Sequence, residues 1–176
     1  MIVGYSGSGK STLARRLGET YGAAVLHLDT LQFLPGWVER DRAEQQAMLA
    51  AFLDSHESWI IDGNYSWNHF ERRCAEADRI VLMLFPRLTT LRRVILRYRR
   101  YKGRSRPDVT DGCEEKLDAE FVRWVLWTGR SRAQRERWAR IIAEYPEKCT
   151  VLRSQRDIDR FFAQINPHEK QTGGQV

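Results

Sequence analysis

The chain has 176 residues, 42% hydrophobic and 30% charged, which supplies apolar mass for one buried core and excludes a disordered chain. No apolar run approaches the roughly 20 residues that a membrane span requires, no basic-apolar-small leader precedes the first motif, and the three scattered cysteines read as reduced thiols of a cytoplasmic protein. Lys plus Arg total 29 against 23 Asp plus Glu, and the net charge of +6 invites a phosphate-rich partner of unspecified kind.

Ile2-Val3 reads as a first strand that is either very short or begins upstream, because buried strands usually run about five or six residues. It leads into Gly4-Tyr5-Ser6-Gly7-Ser8-Gly9-Lys10-Ser11-Thr12, a match to G-x-x-x-x-G-K-[ST]. Glycines at these positions let backbone N–H groups converge on phosphate oxygens. Lys10 is expected to reach the β- and γ-phosphates, and the Ser11 hydroxyl to ligate Mg²⁺. The helix over 10–21 then aims its positive end at the same phosphates. Gly4, Ser6, Gly7, Ser8, Gly9, Lys10, Ser11 and Thr12 are therefore the candidate nucleotide-binding residues.

Ala23 to Leu28 reads as a second strand ending at Asp29, followed by a loop over 30–42 and a helix over 43–55. Trp59-Ile60-Ile61 is a third strand, ending at Asp62-Gly63-Asn64, with a short helix over 68–76. The wholly apolar Ile80 to Leu84 marks a fourth strand covered on both faces. A basic helix spans 89–101, a polar loop 102–111, and interrupted helix 114–145. Cys149 to Leu152 is the last strand, followed by a helix over 157–165 and a frayed tail over 166–176. Alternating strand and helix predicts an α/β protein with a parallel sheet covered on both faces.

Ligands bind such sheets at the carboxyl ends of the strands, which gathers the glycine-rich loop, Asp29 and Asp62 on one rim. Either carboxylate can serve as the base toward an acceptor hydroxyl or as an organiser of Mg²⁺, and the sequence leaves the assignment open. Ser11 and Asp62 form the candidate metal pair. Arg100, Arg104 and Arg106 lie in the richest basic stretch and suit a mobile lid that neutralises a transferring phosphoryl group. A solvated helix face and a nucleic-acid patch with Tyr98 and Tyr101 interleaved are the competing readings of that stretch. Trp37, Arg40, Arg42 and Asn64 are candidate acceptor contacts, while Trp124, Trp127 and Trp138 read as packing residues. Cys74, Cys113 and Cys149 form neither a disulfide framework nor, with the histidines, a zinc spacing.

On these residues the chain resembles the small P-loop kinases of the adenylate-kinase type, and within them the bacterial DNA topology modulation proteins (FlaR-related). The resemblance rests on the loop above, on Leu26-His27-Leu28-Asp29-Thr30-Leu31, on Pro35-Gly36-Trp37, and on Trp59 to Tyr65. Arg97-Tyr98, Gly103 to Asp108 and Gly112 to Asp118 complete it. It implies a five-stranded parallel sheet of order 2-3-1-4-5, a lid after the fourth strand, and ATP with Mg²⁺. After Asp62-Gly63, adenylate kinases continue Phe-Pro-Arg where this chain has Asn64-Tyr65-Ser66, so the resemblance does not extend to the usual nucleoside-monophosphate contact.

The expectation is one P-loop kinase-like domain over 1–176, with an acceptor segment at about 30–57 and a lid at about 102–117. It would be a monomer or homodimer that binds a nucleotide and a small acceptor and no membrane, with a nucleic acid as the less favoured partner. The alternative function is a regulatory ATPase or nucleic-acid-associated protein. Neither the guanine-specifying Asn-Lys-x-Asp string nor a helix-turn-helix or zinc-finger signature is present.

Overall fold

The apolar run at Ile80 to Met83 alternates strictly in where it buries. Ile80 and Leu82 pack with Met1, Val3, Trp138 and Ile141, whereas Val81 and Met83 pack with Leu13, Leu17, Ile158 and Phe161. Successive side chains of a strand point to opposite faces, so a strand with no solvated face must be apolar throughout. Truncating Leu82 to alanine would cost about 2–5 kcal/mol.

The computed structural model describes residues 1–165, and the tail expected over 166–176 lies outside them. In chain order the first elements are β1 (Ile2–Gly4), α1 (Lys10–Tyr21), β2 (Ala24–His27), α2 (Leu28–Gln32), β3 (Phe33–Leu34) and β4 (Val38–Glu39). Next come α3 (Arg42–Ser55), β5 (Trp59–Asp62), α4 (Phe70–Glu76), β6 (Ile80–Met83) and α5 (Arg87–Tyr101). The chain continues through α6 (Ala119–Leu126), α7 (Arg132–Glu144), β7 (Cys149–Leu152) and α8 (Gln155–Ile165).

The main sheet runs β2-β5-β1-β6-β7 with every pairing parallel. Setting aside the small antiparallel hairpin β3–β4, this is the expected order 2-3-1-4-5. The strand order reverses at β1, and the crevice beyond its carboxyl end is where an α/β sheet binds its ligand.

Three segments differ from the sequence expectation. The second strand stops at His27, and Asp29 sits in the first turn of α2 rather than at a strand end. There Thr30 Oγ1 donates to the His27 carbonyl at 2.7 Å, and an acid in a first helical turn complements the helix dipole. The expected loop over 30–42 contains the rest of α2 and the hairpin, joined by a tight turn at Pro35–Trp37. The helix expected from 114 begins only at Ala119, where Asp118 accepts from the Phe121 N–H at 2.7 Å as its cap. Residues 114–118 belong to the preceding loop, held there by the ion pairs of Glu115.

Candidate active site

Gly4 ends β1 at φ +141°, and a Cβ there would collide with the Met83 carbonyl of the neighbouring strand. Gly7, at φ +75°, faces the Val94 side chain so closely that a Cβ would stand 2.6 Å from it. Only glycine meets both demands, left-handed backbone and close approach to α5. The loop then enters α1 through Gly9, where no side chain caps the helix. The first N–H groups of a helix have no partner within it, so an uncapped N-terminus facing a cavity is an anion site.

Side chains remote in sequence brace this loop. Asn64 Nδ2 donates to the Gly4 carbonyl at 2.7 Å, and its Oδ1 accepts from the Gly4 N–H at 3.0 Å. Arg93 donates to the Ser8 carbonyl at 2.6 Å while its guanidinium lies 4.3 Å from the Phe85 ring centre. Arg130 is buried, with its guanidinium 3.9 Å from the Tyr5 ring centre, and donates to the carbonyls of Val125 and Phe85 and to Thr90 Oγ1. The wall of the loop is thereby fixed by two helices and by the segment after β5.

Lys10 Nζ donates to the Tyr5 carbonyl at 3.2 Å. Burial pulls its pKa below the usual lysine value, and the carboxylates of Asp62 and Asp29 oppose that shift. Ser11 Oγ donates to Asp62 Oδ2 at 2.9 Å, and the other Asp62 oxygen meets His27 Nδ1. Asp62 thus joins the start of α1 to the ends of β2 and β5. Asp29 accepts from the Tyr65 hydroxyl at 2.7 Å. Burial raises the Asp29 pKa above the ordinary carboxylate value, although the Tyr65 bond acts in the opposite direction.

The loop between α5 and α6 folds back over the rim. Arg106 pairs with Asp108 at 2.6 Å and also with Glu115, which in turn holds Arg97 of α5 at 2.6 Å. Asp108 also meets Arg15 of α1 at 3.5 Å. Burial would raise the Asp108 carboxyl, but Arg106, a Ser11 hydrogen bond, His27 and Arg15 together hold it below its ordinary value. The loop is tied to the hairpin as well. Thr110 donates to the Phe33 carbonyl, Cys113 Sγ to the Leu34 carbonyl at 3.2 Å, the Gly36 N–H to the Gly112 carbonyl at 3.0 Å, and Trp37 Nε1 to the Glu114 carbonyl at 2.8 Å.

A cavity of about 1140 Å³ lies between these parts, and Ser6 to Thr12, Asp29, Asp62, Asn64, Trp37, Arg100 and Arg106 all line it. Gly4 sits behind it as the buried base of the loop. Three expected contacts fall outside its lining. Arg40 is occupied by the Leu31 carbonyl and Glu44, Arg42 lies over the Trp67 ring, and Arg104 is exposed in the turn that follows α5. The hairpin is the reason for the first two, since it turns the chain away from the cavity after Trp37. Asn64 reaches the cavity, and its amide bonds both polar groups of Gly4.

Other lining residues gave little sequence signal. Arg93 and Arg97 read as one face of a basic helix, and only the fold shows that the face meets the glycine-rich loop and the α5–α6 loop. Trp124, expected to pack, is 49% exposed and lines the cavity; Trp127 is 59% exposed, and only Trp138 of the three is buried. Tyr65 stood in the motif after β5, and its partner Asp29 lies 36 positions earlier.

The topology and the glycine-rich loop at the β1–α1 junction define a P-loop protein with a kinase-like α/β fold. Beyond that class, neither a family model nor a curated protein matches the chain. Among solved structures, the crystal structure of TT1252 from Thermus thermophilus is similar at a TM-score of 0.56 and 19% identity, covering 98% of this chain and 96% of that one. That likeness is one of fold. A deoxyadenosine kinase from M. mycoides, solved with dCMP and a flexible dCDP, gives a TM-score of 0.46 and 16% identity over 95% of this chain and 99% of that one, too loose to carry inference. No helix among the described residues is long and apolar enough to cross a membrane.

Proposed function

We propose that this chain is an ATP-dependent phosphotransferase that moves the γ-phosphoryl group of ATP to the hydroxyl of a small acceptor. The observation that carries this reading is the hydrogen bond from Ser11 to Asp62 beside the uncapped N-terminus of α1, with a second carboxylate, Asp29, lining the same cavity.

The residues fit a nucleotide and Mg²⁺. Ser8 Oγ is buried in the loop without a hydrogen-bond partner among the described residues, and it faces the cavity that the bare helix terminus also faces. Ser11 and Asp62 together offer hydroxyl and carboxylate oxygens, the donor type Mg²⁺ takes when it is shared with phosphates. Among the described residues no cluster of three His, Cys, Asp or Glu could hold a metal alone. Bound there, the ion would neutralise charge between the β- and γ-phosphates.

The chain's own residues then divide the work. Lys10 leaves the Tyr5 carbonyl for the phosphates, and the N–H groups of 7–12 hold them. Asp29, within reach of the Tyr65 hydroxyl, takes the acceptor proton. Arg106 and Arg100, on the lid side, face the transferring group and exclude water. Calorimetric titration with ATP tests the shared premise: Lys10→Ala should bind at least tenfold more weakly, and equal binding by both forms would sink it. A labelled-ATP screen against small alcohols then separates transfer from hydrolysis, and release of free phosphate with every acceptor would argue for an ATPase.

A further inference from the structure

Arg73 of α4 is fully buried, and no carboxylate pairs with it among the described residues. Its neighbour Arg72 takes Glu76 and Asp54 instead. Burial pulls the Arg73 pKa down to about 10, so the guanidinium still carries its charge at neutral pH. A buried charge without a counter-ion is unfavourable and persists only where hydrogen bonds replace its water.

Three carbonyls from the segment between β5 and α4 supply those bonds. Nε donates to the Asn68 carbonyl at 3.1 Å and one terminal nitrogen to the Tyr65 carbonyl at 2.7 Å. The other terminal nitrogen reaches the Gly63 carbonyl at 3.4 Å and the Met1 sulfur at 3.8 Å. At Gly63 the chain leaves the sheet with φ +142°, and a Cβ there would stand 2.7 Å from Leu28. Residues 63–69 belong to no helix or strand, so their carbonyls have no ladder to bond them. A planar guanidinium fork meets three such carbonyls at once, whereas a lysine ammonium is a single point on a flexible stem.

The residues held in this way serve two parts of the cavity. Asn64, between the clamped carbonyls of Gly63 and Tyr65, bonds both polar groups of Gly4 at the base of the glycine-rich loop. Tyr65 donates to Asp29 at 2.7 Å. Arg73 itself lies outside the cavity lining. We infer that Arg73 is a positioning residue for both parts: through the Gly63 and Tyr65 carbonyls it sets where Asn64 meets the loop and where Tyr65 meets Asp29. The Asp29 half rests on the phosphotransfer reading above, and the Asn64 half needs only ATP binding.

The test uses Arg73→Lys in the full chain, which keeps the charge and loses the fork. ATP affinity by calorimetry should fall about tenfold, and in the Asn64→Ala background the same substitution should change it less than twofold. At neutral pH kcat should fall about tenfold, and less than twofold in the Tyr65→Phe background. The acidic limb of the rate profile should move up to that of Tyr65→Phe. Phe161→Leu, which loosens the core on the opposite face of the sheet, should move neither ATP affinity nor the limb. Where Arg73→Lys misfolds by circular dichroism, Arg73→Gln takes its place with the same expectations. Misfolding of both assigns Arg73 to the stability of the whole chain and overturns the inference. An additive effect in either double variant, or an unmoved limb, also overturns it and leaves the phosphotransfer reading standing. ATP hydrolysis without transfer to any acceptor overturns that reading, and the ATP-affinity cycle with Asn64→Ala still decides the part of Arg73. A wild type that binds no ATP overturns both.

Discussion

Ser11 and Asp62 are separated by 51 positions in the chain and joined by a hydrogen bond of 2.9 Å. The bond exists because β1 and β5 are neighbours, with Ile2 in register with Asp62. α1 therefore begins beside the carboxyl end of β5, and a hydroxyl in its first turn meets a carboxylate at the strand end. Removing either group should weaken Mg²⁺-dependent ATP binding while leaving Mg²⁺-free binding little changed. For Asp62→Asn the expected fall in turnover is on the order of 10²–10³-fold, read from initial rates across a Mg²⁺ titration.

The proposed role of Asp29 as base predicts a pH dependence. Asp29 must be ionised to accept a proton, and its pKa is raised by burial, so turnover should rise with pH along a limb displaced above the ordinary carboxylate value. Tyr65→Phe removes a bond that favours the charged form, and its limb should lie at still higher pH. Asp29→Asn should lose the limb and about 10²–10⁴-fold in kcat with the KM for ATP retained. Rate profiles of the three proteins check this, and coincident profiles for wild type and Tyr65→Phe would contradict it.

Asn64 is bonded to the loop through both polar groups of Gly4. Asn64→Ala leaves the N–H and carbonyl of Gly4 unpaired in a buried position, which should cost about 1–3 kcal/mol in denaturant unfolding. ATP affinity should fall with it, because the loop's first residue is no longer held. An acceptor contact would instead change acceptor KM alone.

Arg130 is expected to be structural. It satisfies two carbonyls and a hydroxyl between α5 and α6 and underlies Tyr5. Arg130→Ala strands those acceptors and removes the stacked guanidinium, at a cost on the order of 3–5 kcal/mol by thermal or denaturant unfolding. Arg132→Ala, an exposed neighbour paired only with Glu136, should stay within about 0.5 kcal/mol.

Glu115→Gln tests the proposed lid. It removes the charge shared by Arg97 and Arg106 and should loosen residues 102–118, seen as faster amide hydrogen exchange there with the β-sheet amides unchanged. Unchanged exchange in the lid would show that its contacts with the hairpin hold it alone.

The alternation of strand and helix and the loop at Gly4 to Thr12 were legible in the sequence because each rests on local rules, whereas the order of the sheet was implied only by the resemblance to P-loop kinases. Glycine spacing dictates an anion nest, and fully apolar runs dictate strands buried on both faces. The start of α2 at Leu28 and the hairpin at Phe33 to Glu39 were not legible. A five-residue helix and two-residue strands leave no periodicity to read, and tertiary contacts with the lid, such as Thr110 on the Phe33 carbonyl, hold them. Arginine is the clearest case of the divide. The sequence determined that the chain carries a basic excess and that much of it follows β6. Only the tertiary structure decided which guanidinium braces the loop (Arg93), which is buried under Tyr5 (Arg130), which is neutralised in the lid (Arg106) and which never reaches the cavity (Arg40, Arg42, Arg104). A guanidinium on a long flexible stem has no local conformational signature, and its role is set by the carbonyl, ring or carboxylate that the fold brings within its reach.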